Sequence, residues 1–184
     1  SMVMLPPWVF PEKDDFFDDY SVRKAAYWSV FAGGFGYTYG AGPMWCFRDP
    51  EKMAGRRGYN VHWTEALEFP GSSQMRHLRA LMESFPFFSR IPDQSMILSE
   101  VKEGGEHIRV TRDSVGRYAL VYMPLHYSIK LDISKIAGKQ ISCRWYDPRN
   151  GEYSTEKIIE NTGAVEFEAP KDGLDWVLVL QEID

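Results

Sequence analysis

The sequence predicts an α+β protein in which a helical first half precedes an antiparallel β-sandwich, and three observations carry that expectation. Residues 19–33 hold a helix-spaced stripe, residues from 108 onward alternate with period two, and the net charge of −5 falls entirely after residue 90. The first 90 residues carry ten basic and ten acidic side chains, which leaves eleven basic and sixteen acidic for the rest. The change of period and charge together places a domain boundary near residue 90, giving units at 1–90 and 91–184.

In the first half, Val22, Ala25, Ala26, Ser29, Val30 and Gly33 recur at helical spacing. Asp18 and Asp19 are candidate N-caps and put negative charge at the positive end of the helix dipole. Gly33-Gly34 ends the helix. Its stripe is mostly small, so another element should lie close against it. Phe35-Gly36-Tyr37-Thr38-Tyr39-Gly40 alternates small and aromatic residues and reads as a short strand. Residues 41–60, rich in Gly, Pro and Arg, read as a loop, with a short helix around 61–69. After Pro70-Gly71, Ser72 or Ser73 should cap a second helix with Met75, Leu78, Met82 and Phe85 on one face, stopped by Pro86.

The second half reads as strands. Ile108/Val110, Tyr118/Leu120/Tyr122 and Ile129/Leu131/Ile133 alternate, and further strands are expected near 141–147, 152–159, 164–169 and 175–183. Asp113-Ser114-Val115-Gly116 and Asp147-Pro148-Arg149-Asn150-Gly151 are turns, the second with glycine where φ turns positive. Trp176-Val177-Leu178-Val179-Leu180 is apolar on both sides, which places the last strand in the middle of a sheet. Seven or eight short strands at this spacing mean a sandwich.

Composition narrows the function. The chain has 184 residues, 44% hydrophobic and 26% charged, as a globular domain with a real core does. No apolar run reaches the ~18 residues of a membrane span. An acidic balance, with pI near 5.4, argues against nucleic acid as the main partner. Aromatic residues make up 15%, which suits either a dense β core or a stacking surface. Cys46 and Cys143 lack zinc spacing; two free buried thiols are the favoured reading, with one bridge between distant segments left open. His62, His77, His107 and His126 have no paired ligand spacing, so no metal site and no cofactor are assigned. Glu65 and Glu68 read as a solvated helix face, and Arg56-Arg57 as a surface loop. Ser1-Met2 is followed by no charged n-region and apolar h-region, so no compartment is assigned; a secreted or periplasmic parent is compatible.

Several of these segments resemble a known family. Arg23-Lys24-Ala25-Ala26-Tyr27-Trp28-Ser29-Val30-Phe31-Ala32-Gly33 is followed by Gly36-Tyr37-Thr38-Tyr39-Gly40 and Met44-Trp45. Trp63, Glu65-Ala66-Leu67, Pro70-Gly71, Gln74-Met75, His77-Leu78 and Pro92-Asp93-Gln94 come next. Together they resemble the end of the catalytic (β/α)8 barrel of apiosidase-like glycoside hydrolases. In that family a C-terminal β-sandwich with a collagen-binding label follows, and Tyr146–Gly151 and Asp175-Trp176-Val177-Leu178 are similar to it.

The resemblance implies that 19–33 is the seventh barrel helix, 35–40 the eighth strand and 61–85 the closing helices. A complete barrel takes roughly 250 residues, so 1–90 would be a partial (β/α) barrel segment: a fragment, a degenerate relative or half of an assembly. Glycosidases of this kind use two carboxylates, an acid/base and a nucleophile. The acid/base would lie upstream of this chain. The nucleophile would fall in Leu5-Pro6-Pro7-Trp8-Val9-Phe10-Pro11-Glu12, where Glu12 is the one carboxylate, beside an acidic run that reads as a solvated loop. Tyr37 stands where the family commonly has His, and a phenol with a pKa near 10 does not exchange protons near neutrality. No catalytic residue is assigned, and whether the chain is an enzyme stays open.

By the same resemblance, Trp45, Tyr37 and Tyr39 are the candidate substrate-binding residues, Trp45 stacking on a sugar ring from the end of the eighth strand. The competing reading packs Trp45 on Phe47 and Tyr39, with both tyrosines lining the barrel and Trp63 anchoring a helix to it. Trp145, Tyr146 and Tyr153 flank one sandwich turn, where Trp145, in register with Cys143, reads as core. The expected function is a carbohydrate-related accessory region of a glycoside hydrolase without a complete active site. The alternatives are a stand-alone module binding glycan or matrix protein, and a half-barrel that self-associates as a homo-oligomer to cover its open faces.

Overall fold

The computed structural model describes residues 17–53 and 61–183. Helix α1 (Asp19–Phe31) begins where the Asp18 side chain accepts a hydrogen bond from the Ser21 N–H at 2.8 Å, and Gly33, at φ 100°, turns the chain after it. Its buried face is rotated one residue from the expected stripe. Arg23, Ala26, Tyr27, Val30 and Phe31 are buried, whereas Ser29 is exposed. The helix turns its arginine inward because a carboxylate waits there. Near its start the helix packs on Gly71, where a Cβ would stand 3.4 Å from the Val22 Cβ and 3.5 Å from the Asp19 Cα.

Two single-turn helices follow, α2 (Gly42–Trp45) and α3 (Trp63–Ala66), and then α4 (Pro70–Glu83). α4 starts two residues before Ser72 with no side-chain cap, because proline at the first position gives up an N–H that has no partner there anyway. Residues 35–40 form no strand. They run without a ladder, since none of the described residues supplies a neighbouring strand for their backbone groups.

Eight strands follow: β1 (Arg90–Pro92), β2 (Arg109–Asp113), β3 (Tyr118–Met123), β4 (Ser128–Asp132), β5 (Gln140–Tyr146), β6 (Lys157–Glu160), β7 (Ala164–Glu168) and β8 (Trp176–Ile183). The six-stranded sheet has the order β1-β2-β3-β8-β5-β6, and β4 pairs with β7 in a second, two-stranded sheet; every pairing is antiparallel. β8 is central, as its two-sided apolar sequence requires. β6 is shorter than the expected 152–159. The Trp145 N–H donates to Ser154 Oγ and Trp145 O accepts from the Ser154 N–H, so 152–156 loop out and touch β5 through a Tyr146–Tyr153 bridge.

The middle strands of the large sheet, β3 and β8, are buried on both faces. Ala119, Val121 and Met123 of β3 with Trp176, Leu178 and Leu180 of β8 face the small sheet, where Ile129, Leu131, Ile136 and Ala169 complete one core. Tyr118, Leu120, Tyr122, Val177 and Val179 face the other way, onto Tyr27, Val30 and Phe31 of α1 and Leu78, Leu81 and Met82 of α4. The architecture is α+β, with helices, a large sheet and a small sheet in layers, and no closed barrel among the described residues. The sandwich is therefore lopsided: two strands cover one face, and the first half's helices cover the other. Trp145 packs against the inner core beside Cys143, as its register predicts. Cys143 is buried and unbridged, its thiol pushed up to about 11 by burial; Cys46 is free but exposed rather than buried, because α2 is too short to enclose it.

One polar contact crosses the helix–sheet layer. Arg23 Nε and Nη2 donate to both oxygens of Asp175 at 3.0 and 2.8 Å, and the two side chains are 3% and 0% exposed. Arg23 Nη1 donates to Asp19 at 2.5 Å and to Gln74 of α4 at 2.7 Å, and the Tyr122 hydroxyl donates to Asp175 at 3.2 Å. The network is closed by fork geometry that a lysine could not reproduce. Removing one partner strands a buried charge, so Asp175→Ala should destabilise the chain by about 3–5 kcal/mol in urea unfolding; a loss below about 1 kcal/mol would show the pair to be incidental.

A second carboxylate sets an acid limit. Asp113 accepts from the Arg117 backbone and guanidinium in the β2–β3 turn, and these bonds hold its pKa at about 2, below the unfolded value of 3.8. A lowered folded pKa gives stability that is full above the unfolded value and lost as pH falls through the folded one. Acid titration of unfolding should therefore show a loss between about pH 4 and 2 to which Asp113 contributes, so that Asp113→Asn makes the pH dependence in this window shallower; an unchanged slope would contradict it.

Candidate functional site

The segment after α1 carries the three residues expected to meet a ligand. Gly33 and Gly34 let it leave the helix beside β1, where Arg90 Nη1 donates to Val30 O at 2.6 Å and Nη2 to Gly34 O at 3.3 Å. Tyr37 is half-buried against the α1–α4 core, and burial raises its phenol. It therefore remains a protonated donor at neutral pH. Tyr39 is half-buried with its ring edge 3.5 Å from the position a Gly71 Cβ would occupy, an ordinary packing distance that places the ring beside the start of α4. Trp45 ends α2 with 77% of its surface exposed.

α2 and α3 form one small unit. Phe47, at φ 47°, bends the chain so that Arg48 turns inward, and the Trp63 N–H donates to Arg48 O at 2.9 Å. The Phe47 and Trp63 rings meet edge-to-face with centres 5.6 Å apart. Phe47 thus pairs with Trp63, and Trp45 is left facing solvent. The structure brings Tyr37 to the helical core, sets Tyr39 beside Gly71 of α4, and leaves Trp45 outside. His62 caps α3, its Nδ1 accepting from the Thr64 N–H at 3.3 Å. Glu12 and Arg56-Arg57 lie outside the described residues.

The ionisation of the carboxylates bears on what this surface can do. Among the described residues, those with clear shifts are Asp19, Asp49, Asp93, Glu106, Asp113 and Asp132, and all are lowered. Burial alone would raise Asp19 and Asp93, but hydrogen bonds from Arg23 and Gln74, and from Ser95, Arg112 and Lys135, outweigh it. Contacts with Lys52, Tyr127, Arg117 and Ser134 lower Asp49, Glu106, Asp113 and Asp132 in turn. A general acid needs the opposite shift, so none of these six is tuned for glycosidic protonation. No cluster of three or more metal-ligating side chains occurs among the described residues.

Residues 6–89 match the family described as "Apiosidase-like, catalytic domain", and residues 91–181 match "Putative collagen-binding domain of a collagenase". The chain resembles the C-terminal end of an apiosidase-like glycoside hydrolase. A solved structure described as a glycoside hydrolase is 36% identical, with a TM-score of 0.84 over 91% of this chain and 38% of its own. A glycoside hydrolase family 5 protein from Bacteroides vulgatus is 34% identical, with a TM-score of 0.83 over 91% of this chain and 37% of its own. The chain thus spans under two-fifths of the length of these relatives. None of the curated proteins compared matches it.

Within this glycoside-hydrolase-like chain, sequence reasoning passed over the contact that ties the helices to the sheet. Arg23 and Asp175 both stand in the segments that carry the resemblance, yet their pairing was not read. The signal was present: Arg23, Tyr27 and Phe31 share a helix face at i, i+4 and i+8, and Asp175 directly precedes an apolar strand.

Proposed function

We propose that this chain is a carbohydrate-related accessory region of a glycoside-hydrolase-type protein, with residues 1–90 as the end of the barrel and 91–184 as the sandwich. Trp45 is the principal sugar contact, and Tyr37 and Tyr39 position the segment that presents it. The observation that supports this most is the 77% exposure of Trp45, on the segment that matches the catalytic-domain family. An indole so exposed suits the apolar face of a sugar ring.

The test is twofold. The chain should release no product from aryl glycosides or plant polysaccharides, and turnover abolished by Glu12→Gln would overturn the accessory reading. In native gels cast with mixed-linkage β-glucan, xylan or galactomannan, Trp45→Ala should reduce retardation roughly five- to tenfold at unchanged melting temperature; unchanged retardation would remove Trp45 from the role.

A second reading rests on other exposed rings. Phe35 and Phe88 are 94% and 102% exposed, and Phe47 is 70% exposed. Large apolar side chains so placed are costly in water and favour cover by protein, here a second copy. Light scattering at rising concentration should show association that Phe35→Ser with Phe88→Ser abolishes; a monomer throughout contradicts it.

A further inference from the structure

The small sheet has one covered edge and one open edge. β4 and β7 pair from Ser128↔Glu168 to Asp132↔Ala164. Just beyond these ends, the Ala169 N–H donates to Tyr127 O at 3.0 Å and the Ile133 N–H to Gly163 O at 2.7 Å. Antiparallel pairs alternate between bonded and non-bonded, so the odd-numbered residues of both strands direct their backbone groups at each other. The even-numbered ones point outward. On β4 the 97–99 segment takes up that edge: the Leu98 N–H donates to Lys130 O at 2.8 Å, and the Lys130 N–H to Ser99 Oγ at 3.2 Å. On β7, nothing among the described residues bonds the N–H and C=O groups of Ala164, Glu166 and Glu168.

The same margin leaves the core half covered. Two strands face six, and Trp145 of β5, Ile159 of β6, and Val165 and Phe167 of β7 pack on the core yet stay half-buried. β6 is the last strand of the large sheet and only residues 161–163 join it to β7, so both sheets end here. Ile158 on β6 is 58% exposed. Unpaired backbone groups beside a half-buried apolar row form a template for another strand.

We propose that β7 takes an extended segment of a partner protein as a third strand, one whose side chains alternate between apolar and basic. The backbone groups of Ala164, Glu166 and Glu168 supply the ladder. The inward side chains of the added strand extend the apolar row of Val165 and Phe167, and its outward ones lie beside Glu166 and Glu168 on the exposed face. Charge sets the sign of the partner. Residues 151–184 carry nine acidic and two basic side chains. Glu168 has His126 at 3.7 Å and Lys171 at 4.0 Å, whereas Glu166, across from Lys130, makes no ion pair among the described residues. A second copy is a poor occupant. Pairing β7 antiparallel with itself over its full length sets the two Glu166 side chains directly opposite, and like charges so placed repel.

The full chain is titrated against a short labelled peptide alternating lysine and valine, followed by fluorescence anisotropy. Binding should saturate. Methylating the backbone nitrogens of the lysines, which face β7, should weaken it at least roughly tenfold, whereas methylating those of the valines, which face away, should not. Glu166→Lys should weaken it roughly three- to tenfold, and a peptide alternating glutamate and valine should not bind. Hydrogen exchange supplies a second readout: the peptide should slow the amides of Ala164, Glu166 and Glu168 and leave those of Val165 and Phe167, already bonded to β4, unchanged. The peptide variants and the exchange pattern decide even where Glu166→Lys shifts the melting temperature. No saturation, equal loss on either methylation, equal binding of the acidic peptide, or the three outward amides staying fast each overturn the proposal. Dimerisation that shields those amides without peptide overturns it too, by giving the edge to a second copy.

Discussion

A guanidinium and a carboxylate buried between α1 and the start of β8 can persist only while each has the other, and this constraint fixes how the two halves of the chain meet. Arg23 cannot rotate away without leaving Asp175 unpaired in a dry layer, and Asp175 also accepts from Tyr122 on β3. Gln74 carries the same network onto α4. A buried ion pair is weak ground for net stability but strong ground for a single arrangement, because alternatives leave charges uncompensated. The surrounding apolar contacts, Tyr27 on Tyr122 at 4.9 Å between ring centres and Val30 and Phe31 over the sheet, supply the favourable burial.

That arrangement explains the lopsided sandwich. A sheet with two apolar faces needs two covers. β4 and β7 provide one cover, while α1 and α4 provide the other, so the outer face of the sandwich is the seat of the first half. The units matched at 6–89 and 91–181 therefore share a hydrophobic cluster as well as a boundary. Tyr118 and Tyr146 strengthen the junction, their hydroxyls donating to Pro86 O and His77 O at 2.8 and 2.7 Å. Gly151 presses on His77 so tightly that a Cβ would come within 2.4 Å of its Nδ1.

Much of this was legible in the residues. Period two in 118–122 announced a strand, the two-sided apolar run 176–180 announced the central one, Gly33 announced the end of α1, Gly151 the turn at positive φ, and Asp18 the start of α1. What failed did so for physical reasons. The apolar stripe of α1 misled by one residue because hydropathy cannot foresee a buried arginine whose partner lies 152 positions away. Residues 35–40 have a strand's alternation but no adjacent strand among the described residues, and pairing is a property of neighbours rather than of a segment. The Trp45 surface was legible only through resemblance.

If the Arg23–Asp175 contact and the shared core make one cooperative body, native-state hydrogen exchange should report it. The amides of α1 should open with the same free energy as those of β3 and β8, and Arg23→Ala should lower all three together. Exchange of α1 at a free energy far below that of the central strands, unaffected by that substitution, would show the helices to be loosely appended and contradict the account.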